Sequence, residues 1–318
     1  MTGYIIRRVL WIFPVLFVIA TITFFLMKAV PGGPFTYDKD RSASAQAALD
    51  EKWGLDDPLW QQYGNYLWRL AHFDLGISVR QDRDVLDIIQ DTSFISLQIA
   101  LISLVLAITI GMTLGVISAL QHNGPLDYLG VIFATVGASV PHFVLGAFLT
   151  IGFAVKLHWF GTLGWGGPGE ARDLLNPSAY EWRLMFFPVA SLTMLPAAYI
   201  ARVTRASMLE VLNQDYVRTA RAKGLREFRV VLRHTIKNAL IPVLTVIGPI
   251  AALLLSGSFV IERMFVIPGI GKESIDAVLR RDYAVIMGTT LFFALIVSLA
   301  NLLIDLAYAV VDPRIRYS

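Results

Sequence analysis

The chain has 318 residues, 56% of them hydrophobic and 16% charged, with a formal net charge of +3 and a mean hydropathy of +0.61. Soluble domains carry about 25% charged residues, and here the deficit is concentrated in long uncharged runs, so composition excludes an ordinary soluble protein and indicates a polytopic membrane protein. There is no cysteine, which excludes disulfides and thiolate metal sites.

Arg7 and Arg8 precede an uncharged run over residues 9–27. That run is long for the core of a cleaved signal peptide, and Pro31-Gly-Gly-Pro34 follows it in place of a small-x-small cleavage site. Residues 1–30 are therefore read as an uncleaved first transmembrane helix. Residues 31–93 hold eleven acidic and six basic residues and are read as an extracytoplasmic segment. Within it, residues 45–53 are expected to be helical. Leu59, Tyr63, Tyr66, Leu67 and Leu70 recur at helical spacing, the pattern of an amphipathic helix lying on the membrane or on neighbouring loops. A packed extramembrane subdomain and a docking surface for a delivery protein both fit this segment.

Residues 94–311 form the predicted core, with five further uncharged spans at 94–120, 128–155, 184–201, 238–261 and 283–304. About 20 residues cross the hydrocarbon layer, so each qualifies. The fold class is all-α, with six transmembrane helices and both termini on one side. Residues 202–237 contain nine Lys or Arg against three acids, and the tail 312–318 adds Arg314 and Arg316. Positive residues near helix ends stay in the cytosol, so that loop and both termini are cytosolic. Residues 156–183 and 262–282 are then external. The short 121–127 loop has no Lys or Arg and is placed in the cytosol by parity alone.

Prolines 14, 141, 188, 196, 242 and 249 lie inside the spans, where each removes a backbone donor and favours a bend. Gly111 and Gly115, four residues apart, offer a surface for close helix approach. The many hydroxyls of the spans fit either a bundle enclosing a polar path or an ordinary bundle. Asp305 is the one carboxylate well inside a span. With Asn301 and Tyr308 on the same helix face, it is read as part of a structural hydrogen-bond cluster and not as an ion-coupling site. His142 has no second ligand at helical spacing, so no metal site is expected.

Pro268, Gly269 and Gly271 mark an external turn, with a short helix expected over residues 274–281. The Gly271-Lys272 pair is no phosphate loop, because Val266 stands where its first glycine belongs and Glu273 where its hydroxyl belongs. In the basic cytosolic loop, Asp215 is a candidate helix cap. Residues 216–223 contain no breaker, and Gly224 suits a left-handed C-terminal position. A second helix is predicted after it. Leu225, Phe228, Leu232, Ile236 and Leu240 form an apolar stripe, joined by Val231 and Ala239, and Arg226, Arg229, Arg233 and Lys237 a basic one, able to meet anionic lipid heads. Basic residues placed beside spans need no nucleic-acid partner.

This loop resembles the coupling loop, here 207–237, of ABC importer permeases. The family pattern is Glu-Ala-Ala, three residues, Gly, nine residues, then Ile-x-Leu-Pro. Arg218-Thr219-Ala220 stands at the triplet and Gly224 at the glycine; the leading Glu is absent and Lys237 replaces the Pro. Arg218-Thr-Ala-Arg-Ala-Lys-Gly-Leu225 is the form typical of peptide-class permeases. Ile6-Arg-Arg8, Pro31-Gly-Gly-Pro-Phe35, Pro58-Leu-Trp-Gln-Gln-Tyr63, Asp74-Leu-Gly76, Arg202-Val-Thr-Arg-Ala-Ser207, Ile267-Pro-Gly-Ile-Gly271, Arg281-Asp-Tyr283 and Asp312-Pro-Arg314 also look like the B-type permease of oligopeptide and dipeptide importers. Thr36 and His158-Trp159 lean to the oligopeptide branch.

The resemblance implies a type I ABC importer permease fold in the bacterial inner membrane. It implies a second homologous permease, two ATPase subunits and an extracytoplasmic peptide-binding protein as partners, with peptide as substrate. ATP and Mg would bind to the ATPase subunits, and this chain, lacking a phosphate loop, would hold no cofactor and hydrolyse nothing. Asp215, Tyr216, Arg218, Thr219, Ala220, Arg221, Ala222, Lys223, Gly224 and Leu225 would form the ATPase-coupling helix and its end, and Pro268, Gly269 and Gly271 part of an outer gate. A dipeptide or nickel permease of the same family and a gradient-driven secondary carrier are the alternatives.

Overall fold

In lipid no water is present to bond exposed peptide groups, so a spanning segment must satisfy its backbone internally. The uncharged runs accordingly form long helices. The computed structural model describes residues 2–30, 57–165, 182–255 and 258–311. Among these residues the order is α1 Thr2–Ala29, α2 Leu59–Ala71, α3 Val85–Leu120, α4 Pro125–Ser139, α5 His142–Leu149, α6 Trp182–Leu212, α7 Asp215–Ala222, α8 Glu227–Val230, α9 Lys237–Leu255, α10 Phe259–Met264, α11 Ile270–Arg280 and α12 Tyr283–Val311. Two π-helical segments, Thr150–Lys156 and Val231–Ile236, continue α5 and α8. The helix expected over residues 45–53 lies outside the described residues.

Among the described residues five helical stretches are long and apolar enough to cross a membrane, or six if a bent pair is counted as one span. The span expected over residues 128–155, with Pro141 favouring a bend, is broken more sharply than a kink. It breaks into α4 and α5 with its π-helical extension, bent by 105°. Pro141 is the cause: it disfavours helical dihedrals at the residue before it, and Val140 is extended at φ −92° and ψ 121°. The span expected from residue 94 begins as helix at Val85, and the one expected to end at residue 201 runs on to Leu212. At 1.5 Å per residue, α3 is about 54 Å long, well beyond a hydrocarbon core of about 30 Å. Both helices therefore reach past the membrane, which matters below.

The longest interface joins α3 to α6. Gly111 and Gly115 face it. A Cβ at residue 111 would lie 2.7 Å from the Ala197 carbonyl oxygen, and one at residue 115 would lie 2.5 Å from Thr204 Cβ. The expected close-approach surface is thus used, against α6. Buried clusters follow this pair from one end to the other. Ile99, Trp165, Phe187 and Phe265 pack at the external end, Ala107, Ala197, Ile200 and Val243 in the middle, and Ala119, Met208, Val231 and Ala239 at the cytosolic end.

Helix α1 stands at the edge and packs chiefly along α12. There Arg8 meets Asp305 at 2.9 Å, so this carboxylate joins two helices through an ion pair. Helix α2 leans back on α1 through the stacked rings of Phe24 and Tyr66 and a 2.7 Å hydrogen bond between Thr21 and Tyr63. The span hydroxyls mostly donate to their own helix. Thr109, Ser139, Ser191, Thr245, Thr289, Thr290 and Ser298 each bond the carbonyl four residues back. Their donors are satisfied within each helix.

Replacing Gly115 by leucine forces α3 off α6. The cost is about 1–3 kcal/mol, as for other overpacked cores, and is expected as a lowered melting temperature of the purified protein in detergent. The same change at Gly152, where nothing lies within 4 Å of a built Cβ, leaves the melting temperature unchanged.

Candidate functional site

Helix α7 lies on the cytosolic side, held by a small apolar seat. Val217 and Ala220 point inward and pack with Val230, Val211 and Leu225. Asp215, Tyr216, Arg218, Thr219, Arg221, Ala222 and Lys223 are exposed. The expected Asp215 cap is not formed. Gln214 holds the N-cap position with extended dihedrals, and Asp215 is the first helical residue. Its carboxylate is fully exposed, 3.7 Å from Arg218, and contributes only negative charge beside the positive end of the helix dipole.

The C-terminal end follows expectation. Gly224 has φ +75°, the Gly224 N–H donates to the Arg221 carbonyl, and the Leu225 N–H donates to the Ala220 carbonyl. This is the Schellman arrangement, with the apolar contact of Leu225 that accompanies it. Open space surrounds a built Cβ at residue 224, so glycine is required here by dihedral and not by crowding. The joint is braced as well. Arg221 forms two bonds to Glu227 across the turn, at 2.7 and 3.1 Å, and this carboxylate raises the Arg221 pKa above its ordinary value. Gly224 sets a fixed angle between α7 and α8; it is not a loose hinge.

The second helix keeps only part of its predicted stripe. Val231 and Ala239 are buried as expected, together with Val230 and Thr235, but Phe228 is 77% and Leu232 56% exposed. Leu225 precedes the helix, which starts only after Arg226, so a stripe counted from residue 225 is already out of register at Phe228; the π-helical segment, whose turns take in more residues than the 3.6 of an α-helix, shifts the count again from Val231. The result is an outward surface carrying Phe228 and Leu232 beside Arg226, Arg229 and Arg233. Tyr216 on α7 accepts a hydrogen bond from Asn238 at 2.9 Å, tying the short helix to the start of α9.

A neighbouring feature escaped sequence reasoning. Asp127, in the first turn of α4, is buried and receives Arg205 of α6 in a two-pronged contact of 2.6 and 2.7 Å. The Asn123 N–H is a third donor. The 121–127 loop, placed earlier by parity alone, is thereby clamped to the helix that leads into α7. An acid isolated in a short loop was the only signal in the sequence.

At the opposite end, Pro268, Gly269 and Gly271 precede or begin α11, which starts at Ile270, several residues before the expected helix. Two bonds fix this turn to the bundle: the Ile270 N–H donates to Ser96 of α3 at 2.9 Å, and the Gly271 N–H donates to Glu262 of α10 at 2.8 Å. Between the ends, Ile102, Leu106, Phe133, Met185, Thr193 and Met194 help line an apolar groove of 490 Å³ between α3, α4 and α6. His142 begins α5, partly buried. No group of three or more His, Cys, Asp or Glu suited to a metal ion occurs among the described residues.

Comparison with known proteins agrees with this architecture. The family described as binding-protein-dependent transport system inner membrane component matches residues 111–317, and its N-terminal companion matches residues 1–100. The chain is 42% identical over 317 residues to the dipeptide transport system permease protein DppB of Bacillus subtilis, covering 99% of this chain and 98% of that one. It is 38% identical over 318 residues to the oligopeptide transport system permease protein OppB of Escherichia coli, covering all of both chains. Among solved structures, the inward-facing MetNI methionine ABC transporter aligns with a TM-score of 0.52 at 14% identity, over 71% of this chain and 97% of that one. That likeness concerns the fold.

Removing Asp127 leaves Arg205 without its carboxylate. We expect Asp127→Ala to cost about 3 kcal/mol, read as a drop in melting temperature in detergent. The double variant Asp127→Ala with Arg205→Met recovers most of the loss, because no uncompensated charge is left behind. Equal destabilisation by the single and double variants would show that the pair contributes little.

Proposed function

The chain belongs to the family of binding-protein-dependent transport system inner membrane components, and from that premise we propose that it is a permease subunit of an ATP-driven peptide importer. The relatives divide between dipeptide and oligopeptide systems, so the reading is at the level of peptide; the Thr36 and His158-Trp159 details are what favour longer peptides. In this reading a second, homologous permease completes the path, two ATPase subunits bind ATP and Mg and carry out hydrolysis, and an extracytoplasmic binding protein delivers peptide. The chain is divided into a first span 1–30, an extracytoplasmic segment 31–93, a core 94–311 and a cytosolic tail 312–318.

The observation that carries the reading is the exposed helix α7. It buries only Val217 and Ala220 and presents its remaining surface outward. Across the braced turn at Gly224 it joins the helical run from Glu227 that continues into α9. An ATPase gripping residues 215–225 therefore acts directly on a membrane span. The exposed Phe228 and Leu232 widen that grip beyond the segment read from the sequence. Alternating access needs two arrangements of one bundle, each favoured by a different state of the motor. The external turn at Pro268, Gly269 and Gly271 is the proposed outer gate. An uncharged groove such as the one between α3, α4 and α6 suits a path that tolerates many side chains.

The test is reconstitution of the complete complex in vesicles, with ATP and a proton gradient varied separately. Uptake is expected to follow ATP alone. Gradient-driven uptake by this chain without partners would overturn the reading in favour of a secondary carrier. Gly224→Val places a β-branched residue in the left-handed region, at a cost of about 1–2 kcal/mol, and misdirects α7. Peptide uptake is expected to fall about tenfold or more, on the scale of a lost coupling free energy, while the protein still inserts. Uptake unchanged in that variant would remove the coupling role from α7.

A further inference from the structure

Glu262 is the most deeply buried carboxylate among the described residues, with 0% exposure, and nothing in the coupling loop or the turn motif accounts for it. It lies in α10, and no cation pairs with it among the described residues. Its partners are hydrogen-bond donors from the external turn, from the start of α10 and from α3. The Gly271 and Lys272 N–H groups donate to one oxygen at 2.8 and 3.2 Å, and the Ser258 N–H donates to the other at 3.3 Å. The Ser96 side chain also bonds this carboxylate, while Ser96 accepts the Ile270 N–H at 2.9 Å. One buried carboxylate thus joins α3, α10 and the first turn of α11.

The turn is shaped around it. A Cβ at residue 269 would lie 2.3 Å from a Glu262 oxygen and 2.4 Å from the Ser96 oxygen, and a Cβ at residue 271 would lie 2.9 Å from the same Glu262 oxygen. Both glycines are therefore needed for close approach to the carboxylate. Further contacts bind the same elements: the Ile267 N–H donates to the Glu262 carbonyl at 2.8 Å, and Asp276 of α11 pairs with Arg263 at 3.3 Å and with Lys272 at 3.2 Å. A buried carboxylate is costly unless it is fully bonded. Here the fully bonded arrangement exists only while α11 stays on α10.

We propose that Glu262 is the positioning residue that makes the external turn move with the span driven from the cytosol. This rests on the transport reading above. Helix α10 follows α9, whose other end leads from α7 and α8. A pull on α7 travels along α9 to α10, and the carboxylate carries α11 with it, while the bond to Ser96 defines the resting position against α3. Without the carboxylate, α9 and α11 move independently, and the motor turns over without opening the gate.

The test uses the complete complex in vesicles, measuring ATP hydrolysis, ATP-dependent peptide uptake and the amount of assembled complex. Glu262→Ala is expected to assemble and to keep the partners' basal ATP hydrolysis, while the maximal uptake rate falls about tenfold or more, as for a lost coupling between sites. The peptide concentration for half-maximal uptake is unchanged. Glu262→Gln keeps an acceptor for the Gly271 N–H and retains clearly more uptake than Glu262→Ala. Gly271→Ala impairs uptake by pushing on the carboxylate, and adding it to Glu262→Ala causes no further loss. Wild-type uptake in Glu262→Ala overturns the proposal, and so does a parallel fall of uptake, hydrolysis and assembled complex, which marks a purely structural residue. If Glu262→Ala does not assemble, Gly271→Ala decides: an assembled, fully coupled Gly271→Ala complex overturns the assignment. Wild-type complex without ATP-dependent uptake faults the transport reading instead.

Discussion

The structure depends on the close approach of α3 and α6. Lipid tails are as apolar as the side chains they would displace, so helix association in a membrane draws on van der Waals contact more than on hydrophobic transfer. Contact is best where backbones come near, and Gly111 and Gly115 permit that along two turns. Everything functional is attached to this pair. Helix α6 continues out of the membrane to present Arg205 and then α7. Helix α3 extends past the membrane at its other end and presents Ser96 to the external turn. The two ends of the molecule share one rigid frame, and whatever moves must move relative to it.

What moves relative to that frame is suggested by how the remaining helices are held. Helix α9 contacts α6, α12 and α3 and carries Pro242 and Pro249, which each lack a backbone donor. Its cytosolic start is a π-helical segment, and its external continuation is the short α10. A helix that begins in a π-helical turn and lacks two backbone donors along its length can shift against the frame without breaking it. The rigid parts are the braced joint of α7 and α8 at one end and the Glu262 cluster at the other.

Several features were readable from the chain alone because their cause is local. The long uncharged runs became spans, Gly224 took the left-handed dihedral that ends α7, and Tyr63, Tyr66, Leu67 and Leu70 of the apolar repeat became the half-buried face of α2, with Leu59 left exposed. Other features needed the third dimension. The Asp127–Arg205 pair joins residues 78 apart, and Asp305 found Arg8 across almost the whole chain; no periodicity links such positions. The outward face of the helix after Gly224 differs in part from the predicted stripe because that helix starts only after Arg226 and a π-helical turn then changes the count. The break at Pro141 lies between these cases. The proline was visible, but five other span prolines gave no such sharp bend, and only packing decides between a kink and a corner.

The Glu262 cluster shows why a glycine motif can conceal its reason. Pro268-Gly269-Ile270-Gly271 reads as turn chemistry, and turn chemistry alone would call for positive φ. Neither glycine has it; the positive-φ glycines among the described residues are Gly76, Gly164 and Gly224. Gly269 is extended, at φ −97° and ψ 169°. These dihedrals are open to any residue, so the requirement comes from outside the backbone. It comes from the carboxylate nine residues before Gly271, which occupies the space a side chain would take. A glycine held for room and a glycine held for φ look alike in sequence, yet they respond differently to change. At Gly224, alanine meets only dihedral strain. At Gly271 it meets Glu262, and shortening that partner relieves it. The external turn is therefore a contact between two elements and not a local fold, and a contact of that kind can transmit displacement.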